Sequence, residues 1–543
     1  MSLNDDEPAG DGSDAHSSDS SSAGGQPPPP PPPDSSPTAA ESTEAIPPPP
    51  PPPPGGASQQ PASAGRPRRN PKRILIIGLA AVFVIVLAGA GLAWKILGGG
   101  GPQPQDVMPA SVTAFARVDA DPSASQKIDL FRLSKKIPEL RDLIGIDDED
   151  DDPRKLALEP LIKDCDVDWD DDIEPWLGDR LGIGFEGSVD RILIAVQVTD
   201  EQQAREKLDP VLECLNMTPN GVAYSQGYAV IGTDQDYVDT AVEKAEDEPL
   251  SDDGRFTDDM SKIGDIGVAS VWVKPAAFSD EFGFDDNQAI QDLDSVVFAL
   301  RATSSTIEVV GAGDTGIDVT GDDGPGLAEL PVDTVGALGI SHGIDYVHEH
   351  WLDFTDALHA LDVYLYGPLR DLERATGLRV PDDVVGVLGD HFRLAVGKGT
   401  VEAANKTRAR LGDLDLLVTV TGQDAHQAAD RVAQAARRGA GEDLFVDTSG
   451  DMTVLATNED FAGELASGDT LGDRKAFQAV MGSSDQLLNG IFIDLAQIQE
   501  IAGDDINPQF HRIAAPMSAV GVSQMDLGDG YMGLQLSVQF KDD

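Results

Sequence analysis

The stretch DDIEPWLGDRLGIGFEG at residues 171–187 returns 211 residues later as DDVVGVLGDHFRLAVGKG at 382–399. Other segments return with it. VMPASVTAFARVDA (107–120) matches ELPVDTVGALGISH (329–342), and YAVIGTDQDYVDTAVEKA (228–245) matches MTVLATNEDFAGELASG (452–468). RFTDDM and VASVWV match AFQAVM and LNGIFI, with all offsets between about 211 and 224. One duplication with small insertions accounts for the series, so both halves are expected to adopt the same fold. The two units, 107–328 and 329–543, are each of ordinary domain size.

Each unit repeats a local pattern. RILIAVQV reads as a β-branched apolar strand, after which Thr199 with Gln202 forms a capping box. The helix it opens puts Ala204, Leu208, Val211, Leu212 and Leu215 on one face. GVAYSQ and YAVIGT follow as short strands, and Thr233 with Asp236 opens the next helix. In the second unit the same places hold Thr421 with Asp424 and Thr457 with Asp460. The order is strand–helix–strand–strand–helix, that of a split βαβ unit, extended by VASVWV and VVFALRATSSTIEVVGAG. The expected fold class is α+β: two duplicated α+β units with mostly antiparallel sheets, helices packed on one face.

Gly182, Gly184 and Gly187 have the G-x-G-x-x-G spacing of a dinucleotide-binding loop. Such a loop needs a helix start immediately afterwards, to offer its free N–H groups to phosphate. Here a short polar turn leads into another strand, and the 211-residue offset turns the three glycines into Arg393, Ala395 and Lys398. GAGDTG at 311–316 also precedes no helix. Both sets are therefore read as turn and strand glycines, and no cofactor is expected.

The first hundred residues belong to neither unit. Residues 1–73 are rich in Ser, Gly, Asp and Pro, with proline runs at 27–33 and 47–54. They carry too little apolar surface to offset the entropy of ordering and read as a disordered tail, either a spacer or a docking strip. Ile74 to Trp94 is 21 residues without a charge, about 31 Å as a helix, the thickness of a hydrocarbon core. Arg66, Arg68, Arg69, Lys72 and Arg73 precede it and a lone Lys95 follows. That asymmetry predicts a membrane span at 74–97, a cytoplasmic tail, a linker at 98–106 and an extracytoplasmic remainder. After residue 95 the chain has 33 Lys+Arg against 86 Asp+Glu, the first 95 holding six and nine of the totals of 39 and 95. Such a field repels nucleic acid and anionic surfaces and suits either high salt or cation binding.

Other motifs fall short. AVGKGT has Gly399 where a Walker loop needs Ser or Thr. DCDVDWDDD has Trp169 and Pro175 where a calcium loop needs Gly and Glu, leaving loose calcium association there or at DDEDDD (147–152) as the most it offers. His342, His348, His350 and His359 cluster without the H-E-x-x-H spacing. Cys165 and Cys214 lie in the extracytoplasmic part, where disulfides persist, and the second unit has no cysteine. The two are a possible pair, whose loop of about 50 residues would contribute roughly 4 kcal/mol by chain entropy. No catalytic, cofactor-binding or metal-ligating residue is assigned.

MPASVTAFARVDADPSASQKIDLFRLSKKIPEL followed by EPWLGDRLGIGF resembles the start of a family of bacterial membrane proteins, domain of unknown function 3352. The likeness runs over roughly residues 106–540, and the box from Pro175 to Arg180, PWLGDR, is its most specific part. The second unit departs from it with GVLGDH. The resemblance implies an anchored extracytoplasmic domain and brings no activity or site residue. The expected function is a single-pass, membrane-anchored binding or scaffolding protein of the cell envelope, non-enzymatic, with protein partners on both sides of the membrane. The alternatives are a carrier of a lipid or other hydrophobic ligand in an ectodomain groove, and an enzyme with its site between the two repeats.

Overall fold

β-branched and aliphatic runs alternating with polar turns give sixteen strands among the described residues. The computed structural model describes residues 101–119, 152–215, 221–279, 293–316, 324–341, 388–404, 409–422, 425–439, 441–466, 468–482, 487–503 and 514–541, with positions 217 and 406. The tail, the apolar stretch 74–97 with its five preceding bases, and the four clustered histidines lie outside these residues. No helix among the described residues is long and apolar enough to cross a membrane.

The strands of the first half are β1 (Ala114–Asp119), β2 (Leu177–Phe185), β3 (Ile192–Val198), β4 (Gly221–Ser225), β5 (Tyr228–Gly232), β6 (Ala269–Val273), β7 (Ser295–Ala302) and β8 (Thr306–Asp314). Those of the second are β9 (Thr334–Ser341), β10 (His391–Gly397), β11 (Leu416–Thr421), β12 (Phe445–Ser449), β13 (Met452–Ala456), β14 (Leu487–Ile493), β15 (Met517–Gly528) and β16 (Tyr531–Phe540). All sixteen form one sheet in the order 12-13-11-10-9-14-15-16-8-7-6-1-2-3-5-4. Every strand pairing is antiparallel. Separate sheets were expected, one per unit. The structure has a single sheet because β8 pairs with β16 over nine residues, from Thr306 opposite Gln539 to Asp314 opposite Tyr531.

Read inward from its two edges, the sheet shows one order, 4-5-3-2-1-6-7-8 and 12-13-11-10-9-14-15-16. The registers agree as well. Ala114 stands opposite Phe185 and Val273, and Gly336 opposite Val396 and Ile493. At the junction Val310 faces Gln535, the residue that holds the same place on β16. A local two-fold axis normal to the sheet therefore passes between β8 and β16.

Among the described residues the helices of the first half are α1 (Pro153–Ile162), α2 (Glu201–Cys214), α3 (Gln235–Asp247) and α4 (Gly254–Ile263). They cover both faces, not the single face expected. Leu193 and Ala195 of β3 pack with α3 and α4 around Phe115, Phe256 and Trp272. Ile194, Val196 and Val198, which alternate with them, pack with α1 and α2 around Trp169, Ile173 and Trp176. A strand with apolar side chains on both of its faces needs cover on both sides. In the second half α5 (Lys398–Ala404), α6 (Ala425–Gly439), α7 (Glu459–Gly463), α8 (Lys475–Met481) and α9 (Leu495–Ala502) follow. There Phe477 of α8 meets Phe492 edge-on at 5.2 Å, as Phe256 of α4 meets Trp272 at 5.4 Å.

The helix starts lie one residue beyond the expected threonines. Asp200, Asp234 and Asn458 accept the capping hydrogen bonds, from Gln203, Tyr237 and Asp460. The threonine N–H or hydroxyl stays with the preceding strand or loop: Thr199 N–H donates to the Trp176 carbonyl, and the Thr457 hydroxyl to that of Leu414. Asp424 lies outside the described residues.

Candidate functional site

Gly182 and Gly184 sit on β2. A Cβ at Gly182 would lie 2.5 Å from Pro104 Cβ, and one at Gly184 would meet Met108 Sδ at 3.1 Å. These two glycines admit the segment 102–108 across the sheet. Gly187 holds the β2–β3 turn with φ 68°. No helix follows any of the three. Gly311 and Gly313 lie within β8.

Beneath that crossing segment lies a buried polar cluster. Arg117 Nη2 donates to Asp119 Oδ2 at 2.7 Å, and Arg180 Nε to the same oxygen at 3.2 Å. The Pro102 carbonyl accepts from the Tyr228 hydroxyl at 2.9 Å and from Arg180 Nη1 at 3.4 Å. Burial holds the Arg117 guanidinium below its ordinary pKa, against the attraction of Asp119. Burial also pushes the Tyr228 hydroxyl up to about 12, opposed by Arg180. In the second half the places of Asp119 and Arg180 are taken by Ser341 and His391, with Oγ and Nδ1 3.1 Å apart. Arg117 faces Gly182 across the strands, whereas Gly339 faces Arg393. Each half thus buries one arginine at this cross-strand position, on opposite partners. Arg393 donates to Glu329 at 2.8 Å and to Thr419 at 2.6 Å.

A second cluster ties the halves together. Asp259 of α4, buried, accepts from Trp272 Nε1 and from the Tyr531 hydroxyl of β16, each at 2.6 Å. Arg255 reaches Asp314 at 2.6 Å beside them. Burial, then the bond to Asp259, raises the Tyr531 pKa well above its usual value.

The acidic run at 164–172 is a capped turn in which two of the six aspartates pair with lysines. Asp168 caps Trp169–Ile173, and Lys155 and Lys207 pair with Asp170 and Asp172. Among the described residues no three His, Cys, Asp or Glu side chains are placed to hold a metal ion. Cys165 and Cys214 form a disulfide, Cα–Cα 5.7 Å, joining the loop after α1 to the end of α2.

The feature that sequence reasoning missed is the face of the central strands opposite α4 and α8. Leu300, Val309, Leu536, Val522 and Ile491 stand in register across β7, β8, β16, β15 and β14. Ala302, Ile307, Val538, Val520 and Ile493 form the next row. On the other side Phe298 lies over Gly311, where a Cβ would come within 2.5 Å of the ring, and Gly311 faces Leu534. Phe298, Ile491, Leu534 and Leu536 are 40%, 42%, 46% and 39% exposed. Leu300 and Ala302, the β7 members of the two rows, are buried with Ala269 and Phe540, and the large apolar side chains left exposed beside them make this stretch the candidate interaction surface. The unbroken apolar run VVFAL and the alternation in LQLSV were the available signals, but neither says which face the helices leave open.

No family model and no curated protein matches the chain. Two solved structures, crystal forms III and I of TP0453, are similar at 7% and 8% identity with TM-scores of 0.22 and 0.21. They cover 40% and 42% of this chain, and 82% and 83% of their own. A likeness this distant bears on neither fold nor function.

Proposed function

We propose that the chain is a membrane-anchored extracytoplasmic binding protein of the cell envelope, its body built from two copies of one ancestral unit. The partly exposed apolar face at the junction of the halves is the observation that carries the binding reading. Matching strand order and register in the two halves support the duplication. The 21-residue apolar stretch with its five preceding bases supports the anchor, as does the likeness of PWLGDR to a membrane-protein family. The disulfide supports an oxidising compartment. A binding protein of this kind needs a surface and a tether rather than a catalytic constellation. The scaffold reading gives way to the carrier reading in one respect, since the open face is apolar and would take a hydrophobic ligand.

The test is protease treatment of intact cells followed by alkaline washing of membranes. The expected result is that residues 107–543 are digested from outside, while a fragment containing 1–97 stays in the washed membrane. Release of the whole chain by the wash, or protection of 107–543 in intact cells, would overturn the reading.

A further inference from the structure

Resting on the anchored reading, we infer that the central sheet face binds an acyl chain of a membrane phospholipid. The rows that contain Leu536, Val538 and Leu534 carry no charged side chain over five strands. Their polar members, Asn489 and Gln524, sit at one margin and hydrogen-bond each other at 2.7 Å. Four strand spacings separate Phe298 on β7 from Ile491 on β14, about 19 Å. One leaflet of a bilayer core is about 15 Å deep, so an extended acyl chain fits along the rows. The Phe298 ring over Gly311 gives the surface a wall beside a glycine floor, the relief a flexible hydrocarbon chain fills.

The tether favours a membrane source. Tyr228 and Arg180 hold the Pro102 carbonyl, leaving only Gly98 to Gly101 between that pin and the expected span. Four residues reach at most about 14 Å. Leu181, next to the pinning Arg180, begins the row that runs through Val118, Ala269 and Leu300 to Leu536. Five strand spacings, about 24 Å, separate its ends. The face is therefore held within about 40 Å of the bilayer. The excess of 86 acids over 33 bases beyond residue 95 repels a second copy and an anionic head group alike, which selects a zwitterionic lipid.

The experiment uses the full chain in phosphatidylcholine vesicles containing a trace of phosphatidylcholine with a photoreactive group at one acyl terminus. After irradiation, adducts are mapped by mass spectrometry. The expected adducts fall on peptides carrying Phe298, Leu534 and Leu536 as well as on 74–97. The Leu534→Gln/Leu536→Gln variant is expected to lose those strand adducts roughly tenfold, the scale set by removing two apolar contacts. Its melting temperature and its adducts at 74–97 should stay unchanged. Adducts confined to 74–97, or strand adducts undiminished in the variant, overturn the lipid site and leave the anchor standing. Adducts nowhere overturn both. If sedimentation shows a dimer that the variant dissociates, the face belongs to a second copy and the lipid site is overturned.

Discussion

A guanidinium buried under a sheet-crossing segment needs space and a counter-charge, and the two halves meet that need in opposite ways. In the first, Arg117 faces Gly182, whose missing side chain leaves room for Pro104, and pairs with Asp119. In the second, Arg393 faces Gly339, where a Cβ would lie 2.8 Å from Pro325 Cγ. Two arginines at one covered cross-strand pair would repel and overfill it, so one position stays glycine. Gly182, the first of the glycines that imitate a phosphate loop, is accounted for by this packing. Tyr228, in the same cluster, makes stability depend on alkaline pH. Below pH 10 its hydroxyl is neutral in both states. Above that the unfolded chain ionises, while the folded one resists until about 12. Folding is favoured fully below pH 10, and a contribution on the order of 2–3 kcal/mol disappears between pH 10 and 12. Urea titrations of Tyr228→Phe are expected to show a loss of about 1 kcal/mol at pH 7, from the bond to Pro102. They should also show a shallower fall than wild type from pH 10 to 12. Equal slopes for both proteins would refute the assignment.

Among the elements, the layer of α1 and α2 depends on a covalent link that its counterpart lacks. Cys214 ends α2 and Cys165 follows α1, so the bond closes a loop over this layer of Trp169, Ile173 and Trp176. The Cys165→Ser/Cys214→Ser variant should lose roughly 4 kcal/mol. Hydrogen exchange should rise in α1 and α2 while α3 and α4 stay protected, and identical melting of oxidised and reduced protein would argue against the link. Edge strands are guarded unevenly too. The Gln235 side chain both accepts from and donates to the Val222 main chain on β4, occupying the open edge. At the matching place in the second half stands Glu459, which cannot donate, and Asp447 lies exposed on β12 instead. Much of this layer was legible in the sequence. The strand–helix–strand–strand–helix order follows from apolar periodicity, which is local. The helix caps were displaced by one residue because Asp200, Asp234 and Asn458 adjoin each threonine and have the longer reach to the N3 or N2 amide. The pairing of Arg117 with Gly182, and the open face at Phe298, depend on neighbours far apart in sequence. No local signal records them.

At the scale of the molecule, the joining of the two halves in one sheet sets the cooperativity. Each unit alone would end in a long strand, β8 or β16, with a row of unpaired main-chain groups, and joining the two removes both edges. Because the axis passes between Val310 and Gln535, the junction has the symmetry of an isologous contact, with each strand making the same pairing to the other. Side chains reinforce it, since Tyr531 of β16 donates to Asp259 of α4 in the other half. Opening the junction would strand Asp259 with an unmade bond and expose nine residue pairs of ladder, so neither half is expected to unfold while the other persists. Calorimetry of the full chain should therefore give one transition whose calorimetric and van't Hoff enthalpies agree. Tyr531→Phe leaves the ladder intact and removes one buried bond. It should lower that single transition by the equivalent of about 1–3 kcal/mol without dividing it. Two resolved transitions in the wild-type chain would mean that the halves fold independently and that the β8–β16 ladder is a contact between finished domains.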